Sequence, residues 1–169
     1  MMRIVIAEDQ KMLLGAIGAL LNLEDDMEVV GQASNGEEAI DLVHQLDPDI
    51  CIMDVEMPIK SGLDAAEELK AHRCHVVILT TFARDGYFRR ALELNVKGYL
   101  LKDTPSDELA NSIRSIANGK RLYSPELLDD CIYVTGDHAL ENGTHQNKTV
   151  QTVKSYFSTM MEKIKTPTG

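Results

Sequence analysis

Five polar side chains follow short apolar runs, and their types together suit phosphoryl-transfer chemistry. Glu8 and Asp9 follow the run IVIA, Asp54 follows ICIM, Thr80 follows VVIL and Lys102 follows GYLL. Three carboxylates in one place repel one another unless a cation neutralises them, and Mg²⁺ prefers such oxygen ligands. A carboxylate beside Mg²⁺ can attack phosphorus and form an acyl phosphate. The set therefore predicts an acidic site with Asp54 as nucleophile.

The remaining two side chains fit the needs of a phosphoryl group. Phosphoryl transfer depends on positioning and on neutralising the equatorial oxygens of the group. Lys102 supplies a compact positive charge and Thr80 a hydroxyl donor. Taken singly, a strand-end Asp usually caps a turn and a lone Lys usually lies in solvent. Because all of them end successive apolar runs, their conjunction favours a single site.

The elements that must position these residues follow from the alternation of β-rich and amphipathic runs. Five strand–helix repeats predict an α/β fold with a doubly wound, five-stranded parallel sheet flanked by helices. In such a sheet ligands bind at the carboxyl ends of the strands, so the five polar residues should meet. Thr104 is the predicted N-cap of the fifth helix, with Pro105 in its first turn. The predicted strands are 3–7, 28–33, 50–54, 75–79 and 97–100, and the predicted helices are 10–23, 36–45, 62–71, 85–94 and 105–118.

Composition limits the classes of function. The chain has 169 residues and a formal net charge of -10, and this charge disfavours nucleic-acid binding by the acidic first part. Three widely spaced cysteines without a CxxC pair argue against a disulfide framework or a zinc site and fit a reducing cytoplasm. The sequence also has no apolar run long enough for a secretion signal or a membrane span, so we expect a cytoplasmic protein without membrane insertion.

A resemblance to a known family rests on four runs. IVIAEDQ, DICIMDVEMPIKSGLDA, VVILTTF and KGYLLKD resemble the receiver domain of two-component response regulators, a flavodoxin-like fold. The run GYLLKD, followed by a short helix and GKRLYSPEL, resembles the NarL/LuxR type. The resemblance covers about residues 1–125. It implies a phosphorelay protein, not an enzyme, that accepts a phosphoryl group from a sensor histidine kinase and has transcription regulation as its ancestral output.

The resemblance also assigns roles to residues of the acidic site. It implies that Asp54 is the phosphorylated residue. It further implies Mg²⁺ held by Glu8, Asp9, Asp54 and the backbone carbonyl of Glu56, with Asp9 as a direct ligand and Glu8 acting through water.

A switch is implied as well. Lys102 and the Thr80 hydroxyl would be drawn toward the phosphoryl group, leaving space into which Tyr99 turns. Homodimerisation would follow, on a surface formed by surplus apolar residues of the first and fifth helices. The residues predicted for this surface are Met12, Leu13, Ile17, Leu20, Leu109, Ile113 and Ile116.

The end of the chain departs from the family pattern. We predict a receiver domain at 1–125, a linker at 126–148 and a helical tail at 149–169 that is a remnant of a helix-turn-helix module. The tail carries one apolar stripe at helical spacing. A recognition helix needs a supporting helix to reach the groove, so we expect no sequence-specific DNA binding by this chain. The stripe consists of Val153, Tyr156, Phe157, Met160, Met161 and Ile164.

Two other functions stay open at this point. One is a receiver that acts only through protein contacts, which the short tail favours. The other is an aspartyl-type phosphatase, suggested by Glu56 two residues after Asp54. Such enzymes carry this pattern on their first strand, whereas here it follows the third, and no general acid is evident in the sequence.

Overall fold

Strands and helices alternate along residues 1–81 and 84–124, the part of the chain that this computed structural model describes. A 3₁₀ turn, Leu69–Ala71, follows the third helix. The strands are β1 (Met2–Ala7), β2 (Met27–Ala33), β3 (Ile50–Met53), β4 (His75–Thr80), β5 (Gly98–Leu101) and β6 (Leu122–Tyr123). The helices are α1 (Lys11–Asn22), α2 (Gly36–Leu46), α3 (Gly62–Glu68), α4 (Asp85–Glu93) and α5 (Ser106–Ala117).

All strand pairs are parallel, in the order β2-β1-β3-β4-β5-β6. The predicted doubly wound parallel sheet is therefore confirmed, but it has a sixth strand that we did not predict. This strand is only two residues long, too short for a recognisable apolar pattern. It is held at the edge by Leu122 N–H, which donates to the Lys97 carbonyl at 3.0 Å, and by Ser124 N–H, which donates to the Tyr99 carbonyl at 2.9 Å.

Helices cover both faces of the sheet and enclose two apolar clusters. One cluster packs α2, α3 and α4 on one face, and the other packs α1 and α5 on the opposite face. Strand β3 shows the division, since Cys51 and Met53 enter the first cluster while Ile50 and Ile52 enter the second. Alternate residues of a strand point to opposite faces. Burial of both faces explains why the strand sequences are continuous apolar runs.

Two details of the predicted helices are wrong. The third helix is α-helical only to Glu68 and finishes as a 3₁₀ turn instead of reaching residue 71 as α-helix. Thr104 is not the N-cap of α5, because Pro105 takes that position with extended dihedrals and makes no side-chain cap. The Pro105 carbonyl accepts the first helical bond, from Leu109 N–H at 2.8 Å. Proline has a fixed φ but no N–H, so it serves here just before the helix.

The predicted dimer surface is mostly core. Its members Leu13, Ile17, Leu109, Ile113 and Ile116 are at most 8% exposed and pack in the cluster beneath α1 and α5. Their 3.6-residue periodicity marks the buried face of each helix, so these five residues are not available to a partner. Among the described members of that set, only Met12 is well exposed, at 57%. No helix in the described part of the chain has the length and apolar character to cross a bilayer.

Gly62 permits the close approach of α3 to the end of β3. Its N–H donates to the Val55 carbonyl at 3.0 Å, and a Cβ at this position would overlap the backbone carbonyl of Asp54. Backbone cannot move aside as a flexible side chain can. The absence of a side chain at Gly62 therefore fixes the backbone on which Asp54 sits.

We expect Gly62→Ala to lower the free energy of unfolding by about 2 kcal/mol or more, because overpacking against backbone displaces the Asp54 segment. Urea unfolding followed by circular dichroism measures this. Gly15→Ala is the matched control, since nothing lies within 4 Å of its position in α1. That change should be neutral or stabilise by up to about 1 kcal/mol. Equal stability of Gly62→Ala and the unchanged protein would contradict the argument.

Candidate functional site

The predicted polar residues meet at the carboxyl edge of the sheet. Glu8 and Asp9 follow β1, Asp54 follows β3, Thr80 is the last residue of β4 and Lys102 follows β5. Strand pairing fixes this neighbourhood, because β1, β3, β4 and β5 are adjacent in the sheet. All of these polar residues except Glu8 border an open pocket of about 260 Å³. The pocket is lined by Asp9, Gln10, Asp54, Glu56, Thr80, Thr81, Tyr87 and Lys102.

Lys102 is a buried cation placed between two buried carboxylates. Its Nζ donates to Asp54 Oδ2 at 2.7 Å and forms an ion pair with Glu8. Lys102, Glu8 and Asp54 are 6%, 2% and 9% exposed. Removing one partner from such a group leaves an uncompensated charge in a medium that solvates it poorly. The site is therefore electrostatically coupled, and any new anion that enters must share Lys102 with the carboxylates.

The environment of Glu8 disfavours its ionised form. Burial raises the pKa of the Glu8 carboxyl, and the nearby Asp54 charge raises it further. The bond from Lys102 and the Gln10 N–H, which donates to Glu8 Oε1 at 3.1 Å, oppose the shift without cancelling it. Desolvation therefore outweighs the attraction of Lys102 at this position.

The Asp54 carboxylate is held in one orientation. Its Oδ1 accepts from the Val55 N–H at 2.7 Å and its Oδ2 accepts from Lys102. The backbone of Asp54 is fixed in turn, because its N–H donates to the Ala7 carbonyl of β1 at 3.1 Å. A nucleophile held by neighbouring donors at the edge of a pocket is already oriented for attack.

The acidic cluster fits a hard divalent cation. One carboxylate oxygen from each of Glu8, Asp9 and Asp54 lies within 4.8 Å of the others. Among the described residues this is the only group of three His, Cys, Asp or Glu side chains so close together. An all-oxygen donor set with an exposed member that leaves room for water suits Mg²⁺ better than a soft metal.

Glu56 presents its side chain elsewhere. Its carboxylate accepts from the Tyr87 hydroxyl at 3.2 Å and pairs with Arg84 at 3.0 Å, so it is directed to the start of α4. The Glu56 carboxylate is not a member of the acidic cluster. This agrees with the expectation that only the backbone carbonyl of Glu56 would serve a metal, although that role stays a prediction.

Thr80 borders the pocket, whereas Tyr99 is buried beneath it. Thr80 is 5% exposed, and its carbonyl accepts from the Lys102 N–H at 2.8 Å. The Tyr99 ring is fully buried, 5.4 Å from the Phe88 ring in an edge-to-face arrangement. The Tyr99 ring is therefore already buried in this structure, so it does not start from an outward position from which it could turn into vacated space. The switch role of both residues stays a prediction.

Three pocket residues were missed at the level of sequence. Gln10 and Thr81 are immediate neighbours of predicted residues, and adjacency to Asp9 and Thr80 was the signal available for them. Tyr87 lies on α4 and reaches the pocket only through the packing of that helix, so no local pattern indicates it. The interpretation of the tail at 126–169 lies outside the described residues.

Comparisons with known sequences agree with this geometry. A family model described as the response regulator receiver domain matches residues 4–114. The transcriptional regulatory protein DesR of Bacillus subtilis is 52% identical over 180 residues, covering 97% of this chain and 90% of DesR. The uncharacterized transcriptional regulatory protein YvfU of the same organism is 60% identical over 129 residues, covering 75% of this chain and 64% of YvfU.

Solved structures give the same result for the fold. A DNA-binding response regulator of the LuxR family from Staphylococcus aureus superposes with a TM-score of 0.67 at 36% identity, covering 69% of this chain and 99% of that one. The signal receiver domain of the putative response regulator NarL from Mycobacterium tuberculosis gives 0.68 at 25% identity, covering 70% and 98%. The sequence-based resemblance to the NarL/LuxR type is thus confirmed.

The buried hydroxyl of Tyr99 generates a prediction. Among the described residues it has no hydrogen-bond partner, and burial, followed by the Asp54 charge, raises the Tyr99 pKa to about 12 from 10.0. A folded-state pKa above the unfolded value contributes stability below pH 10 that is lost as pH rises toward 12. We expect Tyr99→Phe to be neutral or stabilising at pH 7 and to lose less stability than the unchanged protein between about pH 9 and 11.

Tyr123→Phe is the matched control, because the Tyr123 hydroxyl donates to the Val96 carbonyl at 3.2 Å. Loss of that bond should destabilise by about 0.5–1.5 kcal/mol at pH 7. Urea unfolding at each pH measures both variants. A Tyr99→Phe variant that is less stable than Tyr123→Phe at pH 7 would show that the Tyr99 hydroxyl has a partner in solution.

Proposed function

The chain belongs to the response regulator receiver domain family of two-component systems, and from this premise we propose that Asp54 accepts a phosphoryl group from a sensor histidine kinase. The observation that carries the assignment is the position of the Asp54 carboxylate. It borders the pocket, is oriented by Val55 and Lys102, and lies within 4.8 Å of two further carboxylates. No other aspartate of the described chain combines these features.

The proposed transfer needs little from the protein beyond orientation and charge. A bond forms between an Asp54 carboxylate oxygen and phosphorus while the bond from phosphorus to the donor nitrogen breaks, and its electron pair leaves with the donor. Lys102 Nζ neutralises a phosphoryl oxygen, and the Thr80 hydroxyl donates to another. Lys102 is available for this because it already contacts Asp54 Oδ2.

Mg²⁺ is the cofactor that the donor set supports. Glu8, Asp9, Asp54 and the carbonyl of Glu56 would hold it, with Glu8 acting through water because that side chain also pairs with Lys102. The ion would supply positive charge against the phosphoryl oxygens. Glu8 keeps Lys102 at the pocket, and the exposed Asp9 leaves access from solvent.

The proposed response of the protein follows from the negative charge that a phosphoryl group adds to Asp54. A phosphoryl group on Asp54 adds about -1.5 to -2 charge at neutral pH, which competes with Glu8 for Lys102. We propose that this redistribution is relayed through Thr80 and Tyr99 to a homodimer contact, with transcription regulation as the family's output. We propose no catalytic turnover, since each chain accepts one phosphoryl group on Asp54. We also propose a cytoplasmic location and no sequence-specific DNA binding by residues 126–169.

The first test concerns the acceptor. Incubation with acetyl phosphate and Mg²⁺ should add about 80 Da, the mass of one phosphoryl group, as measured by intact mass spectrometry. Asp54→Asn should abolish the adduct, and chelation of Mg²⁺ should suppress it strongly. Asp49→Asn is the matched control, because Asp49 is exposed and lies just before β3, at the opposite edge of the sheet. Full labelling of Asp54→Asn would contradict the assignment of Asp54 as the phosphoryl acceptor.

The second test concerns the switch. Beryllofluoride, a phosphoryl analogue, should shift the protein from monomer toward dimer in sedimentation velocity. Thr80→Ala should weaken this shift several-fold while Asp54 still accepts a phosphoryl group, because the hydroxyl donor is lost but the nucleophile remains. Thr80→Ser keeps the hydroxyl and should restore dimerisation. Equal dimerisation of Thr80→Ala and the unchanged protein would contradict the relay.

A further inference from the structure

Tyr87 is the one aromatic side chain among the described residues that line the acidic pocket. The other lining residues are acids, an amide, two threonines and a lysine. Tyr87 is half-buried, whereas Asp9 and Glu56, which also line the pocket, are exposed. An aromatic ring presents a large apolar surface, and polar side chains attract water. Tyr87 is therefore the described pocket residue best suited to keep water out.

The Tyr87 ring is held from two sides. The next residue of α4, Phe88, is 3% exposed and packs edge-to-face on Tyr99 and Tyr123. Because neighbouring residues of a helix have a fixed angle between them, the anchoring of Phe88 in the core also sets the direction of Tyr87. The Tyr87 hydroxyl donates to Glu56 Oε1 at 3.2 Å, so the far end of the ring is attached to the loop after β3.

Arg84 completes the arrangement, and we name Tyr87, Glu56 and Arg84 together the Tyr87 wall. Arg84 Nη1 pairs with the same Glu56 oxygen at 3.0 Å, and the guanidinium carbon lies 5.7 Å from the centre of the Tyr87 ring. The Arg84 and Glu56 side chains are 57% and 52% exposed. An ion pair this exposed adds little to the stability of a fold. Its effect here is on position, because it holds the ring at the side of the pocket.

Access of water to the pocket matters because an aspartyl phosphate is lost by hydrolysis. The oxygen of water forms a bond to phosphorus while the bond from phosphorus to the Asp54 oxygen breaks, and its electron pair returns to the Asp54 carboxylate. Inorganic phosphate leaves with the water oxygen and its protons. The attacking and leaving oxygens lie roughly in line across phosphorus, so water must come from the side of the pocket that faces away from Asp54.

We propose that Tyr87, positioned by Glu56 and Arg84, shields the aspartyl phosphate from water and thereby sets how long the phosphoryl group stays on Asp54. The inference rests on the proposed function, since it takes Asp54 as the acceptor. Exclusion of water protects reactive groups from hydrolysis. A small phosphoryl donor approaches phosphoryl transfer along the same line as water, so the wall also slows phosphorylation by such donors.

The rate at which the phosphoryl adduct is lost tests the proposal on the full chain. The protein is loaded with acetyl phosphate and Mg²⁺, separated from the donor by desalting, and followed over time by intact mass spectrometry at constant Mg²⁺. Tyr87→Ala should shorten the half-life of the adduct at least about fivefold, because water gains access to phosphorus. Tyr87→Phe keeps the ring but loses the bond to Glu56, so it should shorten the half-life only about two- to threefold.

The initial rate of labelling distinguishes a shield from a structural support. Tyr87→Ala should be labelled by acetyl phosphate about twofold faster or more, since donor and water share one line of approach. A ring that only supported the geometry of Asp54 would, on removal, slow the labelling. Faster loss of the adduct together with slower labelling would therefore overturn the proposal, as would an unchanged half-life in Tyr87→Ala.

Matched controls lie in α4 and in β6. Arg84→Gln should shorten the half-life about two- to threefold, because the ring loses its cation and Glu56 its partner. Arg90→Gln breaks pairs with Asp64 and Glu67, which do not line the pocket, and should leave the half-life within about twofold. Equal half-lives of these two variants would contradict the role of Arg84. Tyr123→Phe, which removes a hydroxyl outside the pocket, should also leave the half-life unchanged.

Thermal melting checks that each variant folds. If Tyr87→Ala does not fold, Tyr87→Phe and Arg84→Gln carry the test, because both keep the ring. The proposed function and the shield can fail separately. An adduct that persists in Asp54→Asn would overturn Asp54 as acceptor, and the shield with it. An adduct on Asp54 that is lost at the same rate with and without the Tyr87 ring would overturn the shield alone.

Discussion

The contact of Lys102 with Glu8 and Asp54 is the interaction on which the rest of the site depends. It joins the ends of β1 and β3, which are neighbours, to the end of β5, on the far side of β4, through one buried cation. Without Lys102, two carboxylates would be buried beside each other, and both burial and mutual repulsion would oppose their ionisation. With Lys102 they form an electrostatically coupled group, which any further anion disturbs.

The electrostatic coupling of Asp54 to Lys102 and Glu8 explains why a small chemical event at Asp54 can have consequences beyond the pocket. The Asp54 backbone is tied to β1, its carbonyl is packed against Gly62 of α3, and Glu56 two residues later contacts Arg84 and Tyr87 at the start of α4. Movement of the loop after Asp54 therefore acts directly on α3 and on the start of α4. The packed contacts are short, so displacement is transmitted rather than absorbed.

At the carboxyl edge of the sheet, carboxylates surround one buried cation. Beneath the carboxyl edge, Phe88 stacks edge-to-face on Tyr99 and on Tyr123 of the edge strand. This aromatic group joins α4 to β5 and β6, because Phe88 contacts both Tyr99 and Tyr123.

The sequence by itself determined the order of strands and helices, the parallel sheet and the identity of the acidic site. It could do so because apolar periodicity is a local property, and because every strand end of a parallel sheet faces the same edge. The tertiary structure decided what depends on distant packing: that Tyr99 is already buried, that Leu13 and Leu109 are core residues rather than a dimer surface, that Tyr87 reaches the pocket, and that β6 exists. A helix pattern shows which residues are apolar but not how much of them its neighbours cover.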